Sequence, residues 1–269
     1  MGRRFKRKMI EGLTVTGIAD KGKGVCRDET GRVIFVEDVA PGDVVDVLIY
    51  KKRKSYLLGS VKHFQKYSED RAKPFCEHFG TCGGCKFQHI PYEKQIEYKQ
   101  GLVDNALRRI GKVEIGEFRD ILPCEEPAFY RNKLEFTFSN KRWLTYEELN
   151  SEVSNLENVL GFHRAGAFDK ILNINKCHLQ PEPSNQLRNS MKEIALEQGL
   201  TFYDVRQNLG FLRNTIVRTS TTQETMLIVS FGENDKKKID TFLNKVLEKN
   251  KTLTSVFYTI NKKVNDSWG

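Results

Sequence analysis

The chain has 269 residues, of which 39% are hydrophobic and 10% aromatic, so it can form one large domain or two to three small ones, and whole-chain disorder is excluded. Lysine and arginine outnumber acidic residues by 44 to 35, and the formal net charge of +9 favours a polyanionic partner, most often a nucleic acid. No apolar run approaches the roughly 20 residues that cross a bilayer, and none follows the basic arm at residues 1–10, so we expect a cytoplasmic protein without a membrane partner. We also expect a monomer.

Residues 11–66 have the alternating pattern of short β-strands separated by glycine-rich turns, as at Val45, Val47 and Ile49. About five short strands in this length predict a small all-β barrel of the OB type, a fold that often binds oligonucleotides. The candidate phosphate contacts in its loops are Lys21, Lys23, Lys51, Lys52, Arg53 and Lys54. The alternative is that these side chains only keep edge strands soluble.

Three cysteines lie within residues 76–85, and Cys177 follows far downstream. Thiolates bind both zinc and iron–sulfur clusters, but three clustered cysteines with one remote cysteine are more typical of a 4Fe-4S cluster than of structural zinc. Gly83 and Gly84 allow the backbone to fold tightly around a bulky inorganic core. We therefore predict a 4Fe-4S cluster, with zinc and unligated thiols as the alternatives. The four candidate ligands are Cys76, Cys82, Cys85 and Cys177.

Beyond residue 91 the pattern is a mixture of helices and strands. Helical spacing at residues 92–112 predicts a helix, which we expect to pack on a further domain. A second helix is predicted to start with Ser184 as its N-cap and to stop at Gly199, and a third, strongly amphipathic helix covers residues 235–249. The predicted strands lie at residues 131–139, 201–206, 211–219, 224–231 and 254–260, and residues 160–168 are predicted to form a further strand and turn. Residues 113–262 are therefore expected to form an α+β domain.

Several short motifs carry a resemblance to a known family. They are Cys76-x5-Cys-Gly-Gly-Cys85, Gln88-His89, Tyr92, Gln95, Tyr130-Arg-Asn-Lys133, Gly161-Phe-His163 and Cys177. With them the chain resembles the N-terminal part of the bacterial RNA (uracil-5-)methyltransferases, which make 5-methyluridine in 23S rRNA and tRNA. The resemblance implies that the barrel is a TRAM domain that contacts RNA, that the four cysteines hold a 4Fe-4S cluster, and that a central RNA-binding domain follows. Because the tRNA branch typically lacks the barrel, we expect 23S rRNA as the partner.

A base that is methylated must leave its RNA stack, so the protein must hold the flanking backbone. We expect the central domain to share this task with the barrel. Its candidate RNA contacts are Arg131, Lys133, His163, Arg164, Arg213 and Arg218. The alternative for each residue is an ordinary surface salt bridge that contributes little to stability.

Methylation of uracil C5 requires a thiolate that adds to C6 and a base that removes the C5 proton. We assign neither Cys26, interpreted as a core residue, nor Cys124 as that nucleophile, and no glycine-rich cofactor turn is found. We therefore expect that the α/β S-adenosylmethionine (SAM) domain of the family is missing, that the chain is an N-terminal portion inactive alone, and that SAM binds only the full-length parent.

The expected organisation is an arm at 1–10, the barrel at 11–66, a cluster loop at 67–91, the helix at 92–112, the α+β domain at 113–262 and the start of a linker at 263–269. Two other functions are considered. One is a stand-alone RNA-binding module with a structural zinc or iron–sulfur site. The other is a methylthiotransferase-like TRAM protein, which is disfavoured because such proteins need a CxxxCxxC triplet.

Overall fold

The computed structural model describes residues 6–144, 146–150, 158–164 and 166–264. The chain folds as two compact units. The N-terminal unit comprises Met1–Gly80 and Cys85–Glu125, and the C-terminal unit comprises Thr81–Gly84 and Glu126–Gly269. Parts of the predicted arm and of the predicted linker lie outside the described residues. None of the helices in the described ranges is long and apolar enough to cross a membrane.

The N-terminal unit is built on one six-stranded sheet. Its strands are β1 (Lys8–Thr14), β2 (Gly17–Ala19), β3 (Lys23–Arg27), β4 (Val33–Val36), β5 (Val44–Lys52) and β6 (Tyr56–Lys66). Their order is β1-β5-β6-β4-β3-β2, with β4 and β6 parallel and the other neighbours antiparallel. Leu13 of β1 and Cys26 of β3 belong to one buried cluster. Since these strands are far apart in the sheet order, the sheet must curl around a common core.

The predicted helix after the cysteine stretch is present as α1 (Tyr92–Asp104), and a π-helical turn (Asn105–Ile110) continues it. Tyr98 and Leu102 pack against a small buried cluster that includes Ile90, and the Tyr98 hydroxyl donates to Asp70 Oδ2 at 2.7 Å. This side of α1 therefore packs within its own unit. Further along this helical segment the apolar side chains of Val103, Leu107 and Ile110 are exposed.

The C-terminal unit is a sheet covered by helices. Its elements are β7 (Lys133–Ser139), α2 (Tyr146–Leu149), β8 (Val159–His163), β9 (Ile171–Asn173), α3 (Ser184–Glu197), β10 (Leu212–Thr219), β11 (Thr225–Phe231), α4 (Lys236–Lys249) and β12 (Leu253–Ile260). The strand order is β12-β11-β10-β7-β8-β9, and only β11 and β12 pair in parallel.

Helix α4 forms where the amphipathic pattern predicts it. Asp235 caps its N-terminus by accepting a hydrogen bond from the Lys238 N–H at 3.1 Å, and Phe242 on its apolar face makes an edge contact with Phe231 of β11. Helix α3 lies over β7, where the Arg188 guanidinium is 5.3 Å from the centre of the Phe136 ring. These contacts occupy the sheet face to which Phe136 points.

Two local predictions in this unit are wrong. Residues 201–206 form isolated bridges at Phe202 and Asp204 and not a strand. Ser184 is the first residue of α3 and not its N-cap, because its hydroxyl donates to Gln180 Oε1 at 2.5 Å and leaves the cap position to Pro183.

Gly161 of β8 marks a close approach between neighbouring strands. A Cβ at this position would lie 1.9 Å from the carbonyl oxygen of Leu172 in β9. Gly161→Ala should therefore lower the free energy of unfolding by about 1–3 kcal/mol, as overpacking does, measured by urea denaturation. Gly17→Ala is the control, because a Cβ at this strand glycine meets nothing within 4 Å. Equal effects of the two substitutions would contradict the steric explanation.

Candidate nucleic-acid interface

Two of the predicted RNA contacts are cross-strand neighbours. The antiparallel register of β7 and β10 pairs Lys133 with Arg218, and both side chains are exposed. Directly opposed residues have Cβ atoms roughly 4.5–5.5 Å apart, and like charges at that distance destabilise a sheet. In the described part of the chain neither residue forms a salt bridge with a carboxylate. The pair is therefore an uncompensated positive site, to which the exposed Arg131 adds a third charge just before β7.

A cavity of about 440 Å³ lies beside this cation pair, a volume within the usual range of small-ligand sites. It is lined by Cys82, Gly83, Gly84, Arg131, Leu134, Glu135, Thr137, Phe162, His163 and Leu179. His163 Nε2 lies 3.0 Å from Thr137 Oγ1, while the buried His163 Nδ1 has no hydrogen-bond partner among the described residues. The cavity thus combines a half-buried imidazole, with a ring nitrogen left unsatisfied, a guanidinium and the carboxylate of Glu135.

The side chains of Arg213 and Arg164, two further predicted RNA contacts, interact with other parts of the protein. Arg213 is only 2% exposed, and its Nη1 donates to the carbonyl oxygens of Asn261 at 2.8 Å and Lys263 at 2.7 Å. The Arg164 guanidinium is half-buried and lies 4.3 Å from the centre of the Trp143 ring. The structure therefore gives Arg213 an internal role and leaves Arg164 partly engaged with the protein.

The basic run of the N-terminal unit forms the tip of the β5–β6 hairpin. The Arg53 N–H donates to the Tyr56 carbonyl at 2.9 Å. Arg32, which no sequence pattern indicated, donates from its guanidinium to the Lys54 carbonyl at 3.1 Å. The side chains of Lys51, Lys52, Arg53 and Lys54 are all exposed. Arg32 thus fixes the turn and adds its own charge to four solvent-facing cations.

The two other predicted lysines of this unit lie on a short turn (Asp20–Gly22) and on β3. Lys21 is exposed and adopts a left-handed backbone conformation with φ of 60°. Lys23 Nζ lies 3.8 Å from a carboxylate oxygen of Glu37. Lys23 therefore already has an acidic partner, so it is a weaker candidate than Lys21.

The four predicted metal ligands are divided between the two units. Cys76 and Cys85 belong to the N-terminal unit, and Cys82 and Cys177 to the C-terminal unit. Burial, with the nearby Cys85 as a smaller cause, raises the pKa of the Cys76 thiol. Within the described ranges no three His, Cys, Asp or Glu side chains are grouped so that they could hold a metal ion.

The backbone of Cys177 is nevertheless held rigidly. Its N–H donates to Asn185 Oδ1 at 2.7 Å, and its carbonyl accepts from Asn185 Nδ2 at 3.1 Å. Arg188 Nη1 donates to the same Asn185 oxygen at 2.9 Å. Burial lowers the pKa of this guanidinium to about 10, although the nearby Cys177 and Glu182 act in the opposite direction.

The two remaining cysteines lie in different surroundings. Cys26 is fully buried, and burial, with Asp43 as a second cause, raises the pKa of its thiol to about 12. A thiol with such a pKa is not a nucleophile near neutral pH. Cys124 is exposed, and its N–H donates to the Tyr92 hydroxyl at 2.7 Å.

Comparison with known domain families identifies the curled sheet. Residues 9–62 match the TRAM domain. This finding confirms the predicted TRAM domain, whose strands β1 to β6 carry the basic hairpin.

The chain also has relatives among proteins described as RNA methyltransferases. It is 45% identical over 254 residues to an uncharacterized RNA methyltransferase of Bacteroides thetaiotaomicron, with 93% of the chain and 56% of the relative covered. It is 41% identical over 264 residues to an uncharacterized RNA methyltransferase of Porphyromonas gingivalis, with 96% and 56% covered. The chain therefore spans little more than half the length of these relatives.

A solved methyltransferase structure has a similar fold. The tRNA (uracil-54, C5)-methyltransferase of Pyrococcus abyssi, in complex with S-adenosyl-L-homocysteine, matches with a TM-score of 0.64 at 21% identity, and the match covers 96% of this chain and 52% of that protein. At this level of identity the similarity establishes the fold alone.

These matches correct the predicted fold class. We expected an OB-like barrel and an α+β domain with a four-cysteine site, in a chain from which the SAM-binding domain is missing. Nearly the whole chain instead matches the fold of a methyltransferase. The expectation that the SAM-binding domain is missing is therefore not supported, and neither is the interpretation as an inactive N-terminal portion.

Proposed function

We propose that this protein takes part in SAM-dependent methylation of RNA at uracil C5 and that the residues described above hold the RNA around the target uridine. The observation that supports this most directly is the Lys133–Arg218 pair, because two opposed cations without a carboxylate partner are stabilised when phosphate lies between them. The cavity at His163 and the basic β5–β6 hairpin support the same function.

The RNA is proposed to be 23S rRNA, on the motifs that resemble the family. A tRNA is the second candidate, because the structural relative acts on tRNA. The reaction requires addition of a cysteine thiolate to uracil C6, transfer of the SAM methyl group to C5 and removal of the C5 proton. We assign no described thiol to this step. We also propose that the protein is a cytoplasmic monomer.

Removal of the gene tests this proposal. The 5-methyluridine content of purified 23S rRNA and of purified tRNA is measured by mass spectrometry of nucleosides with and without the gene. We expect loss of 5-methyluridine from one of these RNAs and its return when the gene is restored. Unchanged 5-methyluridine in both would refute the assignment to uracil C5.

The 4Fe-4S cluster stays a proposal, supported by the spacing of Cys76, Cys82, Cys85 and Cys177 and by the preference of thiolates for iron–sulfur clusters. Anaerobically purified protein should contain about four iron and about four sulfide ions per chain. Cys177→Ser should lower both, whereas Cys124→Ser, outside the ligand set, should leave them unchanged. One colourless zinc ion per chain would favour the alternative, a structural zinc site.

A further inference from the structure

An exposed aromatic pair lies at the end of β6, outside every site considered above. The Phe64 and Tyr67 rings stack with their centres 4.8 Å apart and their planes 23° from parallel. Phe64 is half-buried and packs against the core of the TRAM barrel, whereas Tyr67 is 61% exposed. One aromatic ring is thus anchored in the core, and a second ring lies on it in solvent.

The position of Arg71 shows which surface of the stack is open. Its guanidinium carbon lies 5.0 Å from the centre of the Phe64 ring and 5.2 Å from the centre of the Tyr67 ring. With the rings 4.8 Å apart, these distances form a nearly equilateral triangle, so the guanidinium lies beside the stack. A cation on the outer face of Tyr67 would be about 9 Å from Phe64. Arg71 therefore leaves that outer face uncovered.

The segment that carries Tyr67 is fixed by a buried carboxylate. Asp43 is fully buried and accepts hydrogen bonds from Arg71 Nε at 2.8 Å, Arg71 Nη2 at 2.8 Å and the Ser68 N–H at 2.9 Å. In the sequence Tyr67 thus lies between Phe64, which packs against the core, and Ser68, which is hydrogen-bonded to Asp43. A ring that is ordered before binding loses little conformational entropy when a ligand stacks on it.

We propose that the outer face of Tyr67 is a stacking site for one unpaired RNA base. Every nucleobase has a π face, and aromatic side chains are the usual platforms for single-stranded RNA. Lys66, which directly precedes Tyr67, is an exposed cation, and the net charge of +9 favours a polyanion as the ligand. This inference rests on the proposed RNA-binding function and adds a base-contacting residue that none of the cationic sites provides.

Binding of a single-stranded RNA of about 12 nucleotides, followed by fluorescence anisotropy with the full chain, tests the site. Tyr67→Ala should weaken binding about 5- to 150-fold, the usual range for loss of one base–aromatic stack. Tyr67→Phe, which keeps the ring, should bind like the unchanged protein. Tyr258→Ala is the matched control, since Tyr258 is also an exposed tyrosine that contacts a second aromatic ring, Phe231, and lies outside the proposed RNA contacts. Thermal unfolding of each variant shows whether the fold is retained.

Two further measurements separate stacking from charge. The slope of affinity against salt concentration should be the same for Tyr67→Ala and the unchanged protein, because a stacked base adds no phosphate contact. In a series of RNAs with one abasic nucleotide each, one position should abolish the effect of Tyr67→Ala. If the unchanged protein binds RNA and Tyr67→Ala binds equally well, the stacking site is refuted and the proposed function stands. If the unchanged protein binds no RNA, both fail.

Discussion

Replacing Asp43 with alanine should lower the free energy of unfolding of the N-terminal unit by about 3–5 kcal/mol, the usual cost of removing one partner from a buried ion pair. The Asp43 side chain is fully buried and that of Arg71 is 21% exposed. Besides Arg71 and Ser68, the carboxylate accepts a hydrogen bond from the Ala40 N–H at 2.6 Å. The substitution therefore leaves a guanidinium and two backbone donors without their acceptor.

Urea denaturation followed by circular dichroism measures this effect. Glu117→Ala is the control, because its ion pair with Arg119 is exposed and should contribute less than about 1 kcal/mol. Losses of similar size in the two variants would contradict the role assigned to Asp43.

The Asp43 pair also predicts a pH dependence. Burial alone would raise the pKa of the Asp43 carboxyl, but the hydrogen bonds from Arg71, Ala40 and Ser68 outweigh burial and hold the pKa below its ordinary value of 3.8. The stabilisation is therefore complete above this ordinary value and is lost as the pH falls through the lower, folded-state pKa. The stability difference between the unchanged protein and Asp43→Ala should shrink in that acidic range. A difference that stays constant down to the acid-unfolded state would contradict this linkage.

Replacing both Lys133 and Arg218 with alanine should weaken RNA binding about 25-fold at about 0.1 M salt. Each lost contact with single-stranded RNA lowers the slope of log affinity against log salt by about 0.7, so two contacts lower it by about 1.4. The two cations are opposed across β7 and β10, and removing them should not destabilise the sheet, since their mutual repulsion is removed as well.

A matched control removes the same total charge elsewhere in the unit. Lys236 and Lys245 on α4 are exposed and form ion pairs with Asp240 and Glu248. Their double alanine variant should bind RNA with nearly unchanged affinity and salt slope. If both double variants lose the same affinity, net charge alone explains binding, and the site at β7 and β10 is refuted.

Local sequence patterns predicted the strands and helices whose formation depends mainly on residues close together in the sequence. Alternation at Val45, Val47 and Ile49 indicates the buried side of a strand, and all three are buried in β5. The amphipathic pattern at residues 235–249 corresponds to α4, because Asp235 supplies the cap and the apolar side chains supply the buried face.

The geometry of the sites depends on strand pairing, which no local pattern contains. Lys133 and Arg218 could each be proposed as RNA contacts, but their adjacency follows from a register between distant strands. Arg213 looked equally exposed in the sequence, yet it lies on β10 inside the sheet and is buried. The Tyr67 stack was missed because its support comes from Asp43, which belongs to a distant turn.

Ultraviolet crosslinking of the full chain to cellular RNA, with identification of the crosslinked peptides and of the attached RNA by mass spectrometry and sequencing, tests the RNA-holding surface most directly. We predict crosslinks at Tyr67, at residues 131–133 and at His163, to RNA sequences that surround a uridine methylated at C5. Absence of crosslinked RNA, or crosslinks confined to α3 and α4 on the opposite face of the sheet, would contradict the account.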